Sequence, residues 1–287
     1  MKTSQNNVNN QIARLPFDLI AIDCDGTLLD SQGNLSTGAP EAIQKAQKLG
    51  IKIALITGRS QSTLDFIFKQ LNLKGPFIGS GGAYIGDLST GEIIQQRTLP
   101  KTEVGTLIRL CRKLELILFL DHSNFMVCEK ENEKTKQHRE EHGYSWKIVP
   151  DLMQELTELP EKGLVVGDPQ QLAELFNYYQ NNNHEVCFTY TSPTSMDILP
   201  KGVSKGNALI KLAEHLQIKP ERIAVIGDYM NDLEMFKVAG TSVAMGNAPQ
   251  EVKQAADMIA PSNDMSGVAW AINQLLGLKQ EDTDELT

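Results

Sequence analysis

Asp23-Cys24-Asp25-Gly26-Thr27 sets two carboxylates one residue apart, directly after the apolar run Phe17 to Ile22. Such a pair can bind a divalent cation, serve as nucleophile and acid, or cap a turn, since Asp and Gly are ordinary turn residues. Thr57-Gly58-Arg59 follows a second apolar run, Ile51 to Ile56. There a hydroxyl and backbone amides at a helix start can hold an anion, or Thr57 can simply be the helix N-cap. Lys205, in Gly202-Val203-Ser204-Lys205-Gly206, opens a helical pattern and by itself is an ordinary solvated charge. Gly227-Asp228-Tyr229-Met230-Asn231-Asp232 follows the run Arg222 to Ile226 and alone reads as an Asp-rich turn and cap. All four groups sit at a strand end or a helix start, and their convergence on one crevice favours catalysis over four separate turns.

The elements that must position these groups alternate between strand and helix. Ala39, Ala42, Ile43, Ala46 and Leu49 recur at helical spacing and Gly50 supplies a stop, so the first two apolar runs flank a helix. Leu64, Ile67, Phe68 and Leu71 mark the next helix, and Phe77 to Gly79 a third strand. The alternation returns with a helix over Leu209 to Leu216 and strands at Arg222–Ile226, Ser242–Met245 and Met258–Ala260. This predicts an α/β fold, a doubly wound, mostly parallel sheet with helices on both faces and ligands beyond the strands' carboxyl ends. The middle has another rhythm: a hairpin around Leu88 to Gly91, helices near Glu103–Leu114 and Leu172–Tyr179, strands at Leu116–Leu120 and Gly163–Val166. It predicts an inserted α+β cap at 84–190, between core segments 14–83 and 191–278. Residues 1–13 and 279–287 lack apolar periodicity and are expected to be tails.

The 287 residues carry a formal charge of −9, with 41% apolar and 22% charged residues. An acidic balance argues against a nucleic-acid partner, and no uncharged apolar run of about 18 residues is available to span a membrane. Cys24, Cys111, Cys128 and Cys187 are dispersed without a Cys-x-x-Cys pair, which fits a reducing cytoplasm. His138 and His142 lie four apart, but a third ligand at suitable spacing is missing, and a solvated helix face is the expectation. Phe176, Tyr178 and Tyr179 are expected to pack or rim a cap helix.

Together Asp23-Cys24-Asp25-Gly26-Thr27-Leu28-Leu29, Ile56-Thr57-Gly58-Arg59, Lys205 in its Gly-Val-Ser-Lys-Gly setting, and Gly227-Asp228 with Asn231-Asp232 resemble the four motifs of the haloacid dehalogenase superfamily. The large insertion resembles that of its Cof-type phosphatases, and Ala244-Met245-Gly246-Asn247-Ala248 is similar to a family segment after the fourth motif. The resemblance spans about Arg14 to Leu276, with its specific part in the core. One departure is Gly81-Gly82-Ala83, where such members usually have Asn-Gly-Ala; the glycine pair is expected to be either part of a cap hinge or a tight turn.

The resemblance implies a Mg2+-dependent phosphatase acting on a small phosphorylated metabolite, a sugar phosphate above all, with a phosphomutase and a noncatalytic binding module as alternatives. It implies Asp23 as nucleophile and Asp25 as acid and base. The phosphoryl oxygens would be held by Cys24 and Gly58 amides, Thr57 and Lys205, with Asn231 adding a hydrogen bond or placing Lys205. The implied metal ligands are the Asp23 side chain, the Asp25 carbonyl and the Asp228 side chain, supported by Asp232. Hard oxygen donors of this kind suit Mg2+.

Overall fold

The computed structural model describes residues 16–122, 125–133, 135–136, 146–154, 157–180 and 184–278. The expected tails, 1–13 and 279–287, and the histidine pair His138 and His142 lie outside them.

Strand β1 (Leu19–Asp23) is the centre of an eight-stranded sheet of order β14-β13-β12-β1-β2-β3-β4-β5. Its five residues are all buried, because helices cover both faces and the strand must be apolar on each side. Ile20 and Ile22 face one cluster with α1 (Ala39–Lys48), α2 (Gln61–Leu71) and α8 (Gly267–Leu275). Leu19 and Ala21 face the other, with α5 (Lys205–Leu216), α6 (Leu233–Val238) and α7 (Gln250–Ala255). Each such Leu or Ile is worth about 1.5–3 kcal/mol when fully buried.

From β1 the chain runs outward through α1 to β2 (Lys52–Ile56) and through α2 to β3 (Pro76–Gly79), all parallel. On the other side β12 (Ile223–Gly227), β13 (Thr241–Ala244) and β14 (Met258–Ile259) follow, also parallel. The direction of winding therefore reverses between β1 and β12, and a crevice opens beyond their carboxyl ends.

A second, six-stranded sheet has the order β10-β11-β9-β6-β7-β8. Its strands are β6 (Ile117–Asp121), β7 (Met126–Cys128), β8 (Trp146–Ile148), β9 (Lys162–Val166), β10 (Val186–Ser192) and β11 (Ser195–Pro200). Helices α3 (Lys101–Lys113) and α4 (Pro169–Gln180) pack on one face, against Leu118, Leu120, Val165, Met196 and Ile198. Ile117, Met126, Leu164 and Val166 line a cavity on the opposite face. Among the described residues no helix is long and apolar enough to cross a membrane.

Sheet membership moves both expected boundaries. The hairpin β4 (Tyr84–Asp87) and β5 (Glu92–Gln96) pairs antiparallel onto β3, so it extends the first sheet instead of opening the cap. At the other end β11 pairs with β9 and β10, so the second sheet runs to Pro200. The chain crosses between sheets at 97–100 and 201–204. Gly81 and Gly82 consequently lie inside the first sheet, in a turn from β3 to β4, and at neither crossing. Their φ values are 65° and 108°, and a Cβ on Gly82 would collide with the Ser204 carbonyl oxygen. This is the tight turn, demanding glycine by conformation and by close approach.

Candidate active site

Asp23 ends β1 and points into the crevice, 4% exposed. Lys205, the first residue of α5, donates to its Oδ1 at 2.5 Å and to Asp232 Oδ1 at 2.6 Å. Burial works against the lysine's charge, but Asp23 and Asp232 outweigh it and hold the ammonium well above the usual lysine range. Asp232 Oδ2 accepts from the backbone amides of Asp228 and Tyr229, at 2.9 and 3.0 Å. Both oxygens of Asp232 are thus committed, and it is this residue, not Asn231, that places Lys205. Asn231 lines the cavity.

Asp228 follows β12 and accepts from Thr27 Oγ1 at 2.9 Å and, at 3.4 Å, from Asn247 Nδ2. Asn247 also donates to the Gly26 carbonyl at 2.8 Å, tying the first motif to the loop after β13. Gly26 is at φ 80°, and a Cβ there would collide with Asp228 Oδ2. Only glycine lets the two carboxylate-bearing loops approach this closely.

Asp23, Asp228 and Asp232 each offer an oxygen within 4.8 Å of the others'. Burial raises Asp23 well above the carboxylate range against the pull of Lys205, with Asp232 and Asp228 adding to the rise. Burial, then Asp232, pushes Asp228 up to about 7. Three buried carboxylates around one ammonium leave a deficit of two positive charges, which a divalent cation with hard oxygen preferences fits. Because Asp232 is already used by Lys205 and two amides, Asp23 and Asp228 are the side chains with coordinating capacity to spare.

Cys24 and Thr57 are fully buried. Burial, then Asp23 and Asp25, pushes the Cys24 thiol far above its ordinary value, which suppresses thiolate chemistry. Thr57 Oγ1 accepts from the Arg59 amide at 3.1 Å, and the N-cap of α2 is Ser60, so Thr57 is not the cap of that helix. Gly58 lines the cavity with Asp25. Both Asp25 oxygens accept from Arg59, at 2.9 Å from Nε and 2.6 Å from Nη2.

A profile of the haloacid dehalogenase-like hydrolases matches residues 20–272. The chain belongs to this family. The hydrolase is 31% identical over 284 residues to the 5-amino-6-(5-phospho-D-ribitylamino)uracil phosphatase YwtE of Bacillus subtilis, covering 90% of this chain and 97% of that one. It is 30% identical to the phosphatase YwpJ of the same organism, over 90% and 99% of the two chains. A crystal structure of a haloacid dehalogenase-like hydrolase from Bacteroides thetaiotaomicron superposes with a TM-score of 0.82 at 28% identity, covering 90% and 99%. The chain is a phosphatase of this family, of the Cof type with its large cap.

The phosphatase's second sheet closes over the crevice, and the cavity between them measures about 1100 Å3. Three charged residues of that sheet, none predicted from the sequence, cluster against the Gly58 loop of the second motif group. Strand alternation puts Asp121, Lys162 and Asp197 on the cavity face, with Asp121 and Lys162 direct cross-strand partners. Lys162 Nζ donates to the Gly58 carbonyl at 2.7 Å and lies 3.2 Å from Asp197 Oδ1. Neighbouring Glu161 accepts from Ser80 Oγ at 2.7 Å and from Gln96 Nε2 at 3.0 Å. Glu161 and Lys162, consecutive residues at the entry to β9, thereby clamp the cap to two places on the first domain. The signal was present: Asp121 and Lys162 directly adjoin apolar runs and Asp197 sits within one, an arrangement that needs a partner.

Proposed function

We propose that this phosphatase hydrolyses phosphate monoesters of small metabolites through an aspartyl-phosphate on Asp23, with Mg2+ as cofactor. The observation that carries the reading is the pairing of buried Asp23 with Lys205 at the mouth of a cavity that also contains Asp25, Thr57, Gly58 and Asp228. YwtE acts on a phosphorylated ribityl compound, as its name states, and a sugar or polyol phosphate is the proposed substrate class here.

Asp23 attacks phosphorus and the leaving oxygen departs, which splits one slow displacement into two easier ones. Lys205 neutralises the phosphoryl oxygens while Asp232 fixes its direction. Thr57 and the amides of Cys24 and Gly58 hold the same oxygens. Asp25 delivers the proton to the leaving group and later removes one from the attacking water. Because both its oxygens accept from Arg59, proton delivery requires Asp25 to turn away from the guanidinium. Asp23, the Asp25 carbonyl and Asp228 would hold Mg2+, which supplies charge neutralisation of the phosphoryl group. A cytoplasmic location suits such a metabolite enzyme.

A screen of phosphorylated metabolites with phosphate detection, with and without Mg2+, tests the reading. Release of phosphate that needs Mg2+ and disappears in Asp23→Asn is expected. A folded Asp23→Asn protein with substantial turnover would refute the nucleophile assignment.

A further inference from the structure

The loop Thr57-Gly58-Arg59 is held from two domains at once. The first sheet supplies most of the bonds: the Thr57 amide donates to the Ile78 carbonyl at 2.9 Å, and the Thr57 and Arg59 carbonyls accept from the amides of Gly81 and Ser80 at 3.0 and 2.8 Å. The Gly58 carbonyl between them takes its donor from the other sheet, Lys162 Nζ at 2.7 Å. A trans peptide is planar, so its carbonyl and its N–H point opposite ways. In the Gly58–Arg59 peptide the carbonyl meets Lys162, and the Arg59 N–H donates to Thr57 Oγ1 at 3.1 Å. One flat unit thus joins a cap ammonium to the hydroxyl of the second motif. A hydroxyl has a single proton, and an Oγ1 that accepts from Arg59 keeps that proton to give elsewhere. Thr57 lines the cavity with Asp23 and Lys205. The ammonium is itself well supported. Burial opposes its charge, but Asp197, 3.2 Å away, and then Asp121 outweigh burial and hold it above the usual lysine range.

We propose that Lys162 is a positioning residue for the phosphoryl group: through the Gly58–Arg59 peptide it orients the Thr57 hydroxyl, so that seating the cap completes the phosphate-holding end of the site whatever the leaving group. The proposal rests on the monoester-hydrolase reading, in which Thr57 holds a phosphoryl oxygen. Without the ammonium, the Gly58 carbonyl is a buried acceptor that has lost its donor, and its peptide can rotate to find another. That rotation carries the Arg59 N–H off Thr57 Oγ1. The hydroxyl proton is then no longer directed, and the site loses a preset donor for the phosphoryl oxygens.

A double-mutant cycle on the full chain tests this. Lys162→Met alone would leave Asp121 and Asp197 without their counterion, so the cycle is built on Asp197→Asn, which removes one buried negative charge for the positive one lost. Two quantities are measured with Mg2+ present: kcat/KM for p-nitrophenyl phosphate, and the inhibition constant of inorganic phosphate, which has no leaving group. Adding Lys162→Met to Asp197→Asn is expected to lower kcat/KM roughly tenfold or more and to raise the phosphate inhibition constant at least about threefold. In a Thr57→Val background, where the hydroxyl is already gone, the same addition should change kcat/KM less than about threefold, because residues that act through one another are not additive. A merely structural role would lower kcat/KM equally in both backgrounds, and that result overturns the proposal. So does a fall in kcat/KM with an unchanged phosphate constant, which would put Lys162 on the leaving group. Should the Lys162→Met protein not fold by circular dichroism, Lys162→Gln, whose donor is one bond shorter, goes through the same cycle and is judged by the same outcomes. Failure of the unaltered enzyme to hydrolyse p-nitrophenyl phosphate strikes the monoester-hydrolase reading and the proposal with it, and is seen before any variant is made.

Discussion

Exchanging one oxygen of Asp232 for an amide nitrogen leaves a donor that its surroundings cannot satisfy in either orientation. If the new amide side chain turns its oxygen to Lys205, the NH2 group faces the amides of Asp228 and Tyr229, which stand 2.9 and 3.0 Å from Oδ2 in the parent. If it turns the oxygen to those amides, the NH2 group faces the Lys205 ammonium, 2.6 Å from Oδ1. Asp232 is wholly buried, so water offers no relief. Breaking a buried ion pair costs about 3–5 kcal/mol, and an unsatisfied buried donor about 1–3 kcal/mol within that loss. Asp23 remains as a partner of Lys205, which places the expectation near 3 kcal/mol, or on the order of 10 °C in melting temperature. Urea unfolding followed by circular dichroism measures it, and turnover should fall together with stability because Lys205 loses its direction. An Asp232→Asn protein within 1 kcal/mol of the parent, with unchanged kcat, would show that Asp232 does not frame the site.

The remaining predictions concern metal, pH and backbone. Chelation should abolish phosphate release and added Mg2+ restore it, whereas Ca2+, larger and looser in its geometry, should support it poorly; full turnover in chelator contradicts the assignment. Burial raises Asp121 to about 7 against the pull of Lys162, with Glu161 and Asp197 adding to the rise. A carboxyl held above its unfolded value favours the fold most at low pH, and this contribution is lost as pH climbs from about 4 to about 7. Asp121→Asn should therefore gain stability relative to the parent between pH 4 and pH 8 in paired unfolding curves, and a constant difference would contradict the burial argument. Gly82→Ala should destabilise by several kcal/mol, since its Cβ meets the Ser204 carbonyl, while Gly81→Asn should cost less because asparagine tolerates φ near 65° and Leu199 can shift. Equal melting temperatures for the two variants would refute the turn.

The first sheet was legible because each of its buried strands is an unbroken apolar run that stops at a polar motif. Asp23, Thr57 and Asp228 follow such runs directly, and the parallel alternation alone brings strand ends to one edge. The four motif groups could therefore be read as one site from order and spacing. Their division of labour could not. That Asp232, and not Asn231, directs Lys205 depends on which side of a short 3-10 turn faces α5. The hairpin after Gly82 reads equally well as the start of an insertion, and only its pairing with β3 gives it to the first sheet. Two of the cap's charged residues, Asp121 and Lys162, were lost at strand ends. The apolar runs Leu116 to Leu120 and Gly163 to Val166 stop one residue short of Asp121 and Lys162, because hydrophobic periodicity breaks where a charge begins. Local sequence dictates which segments are strands and which residues end them. Whether a charge at such an end meets water or a partner is set by long-range packing, here by antiparallel register in one sheet and the closure of that sheet over another.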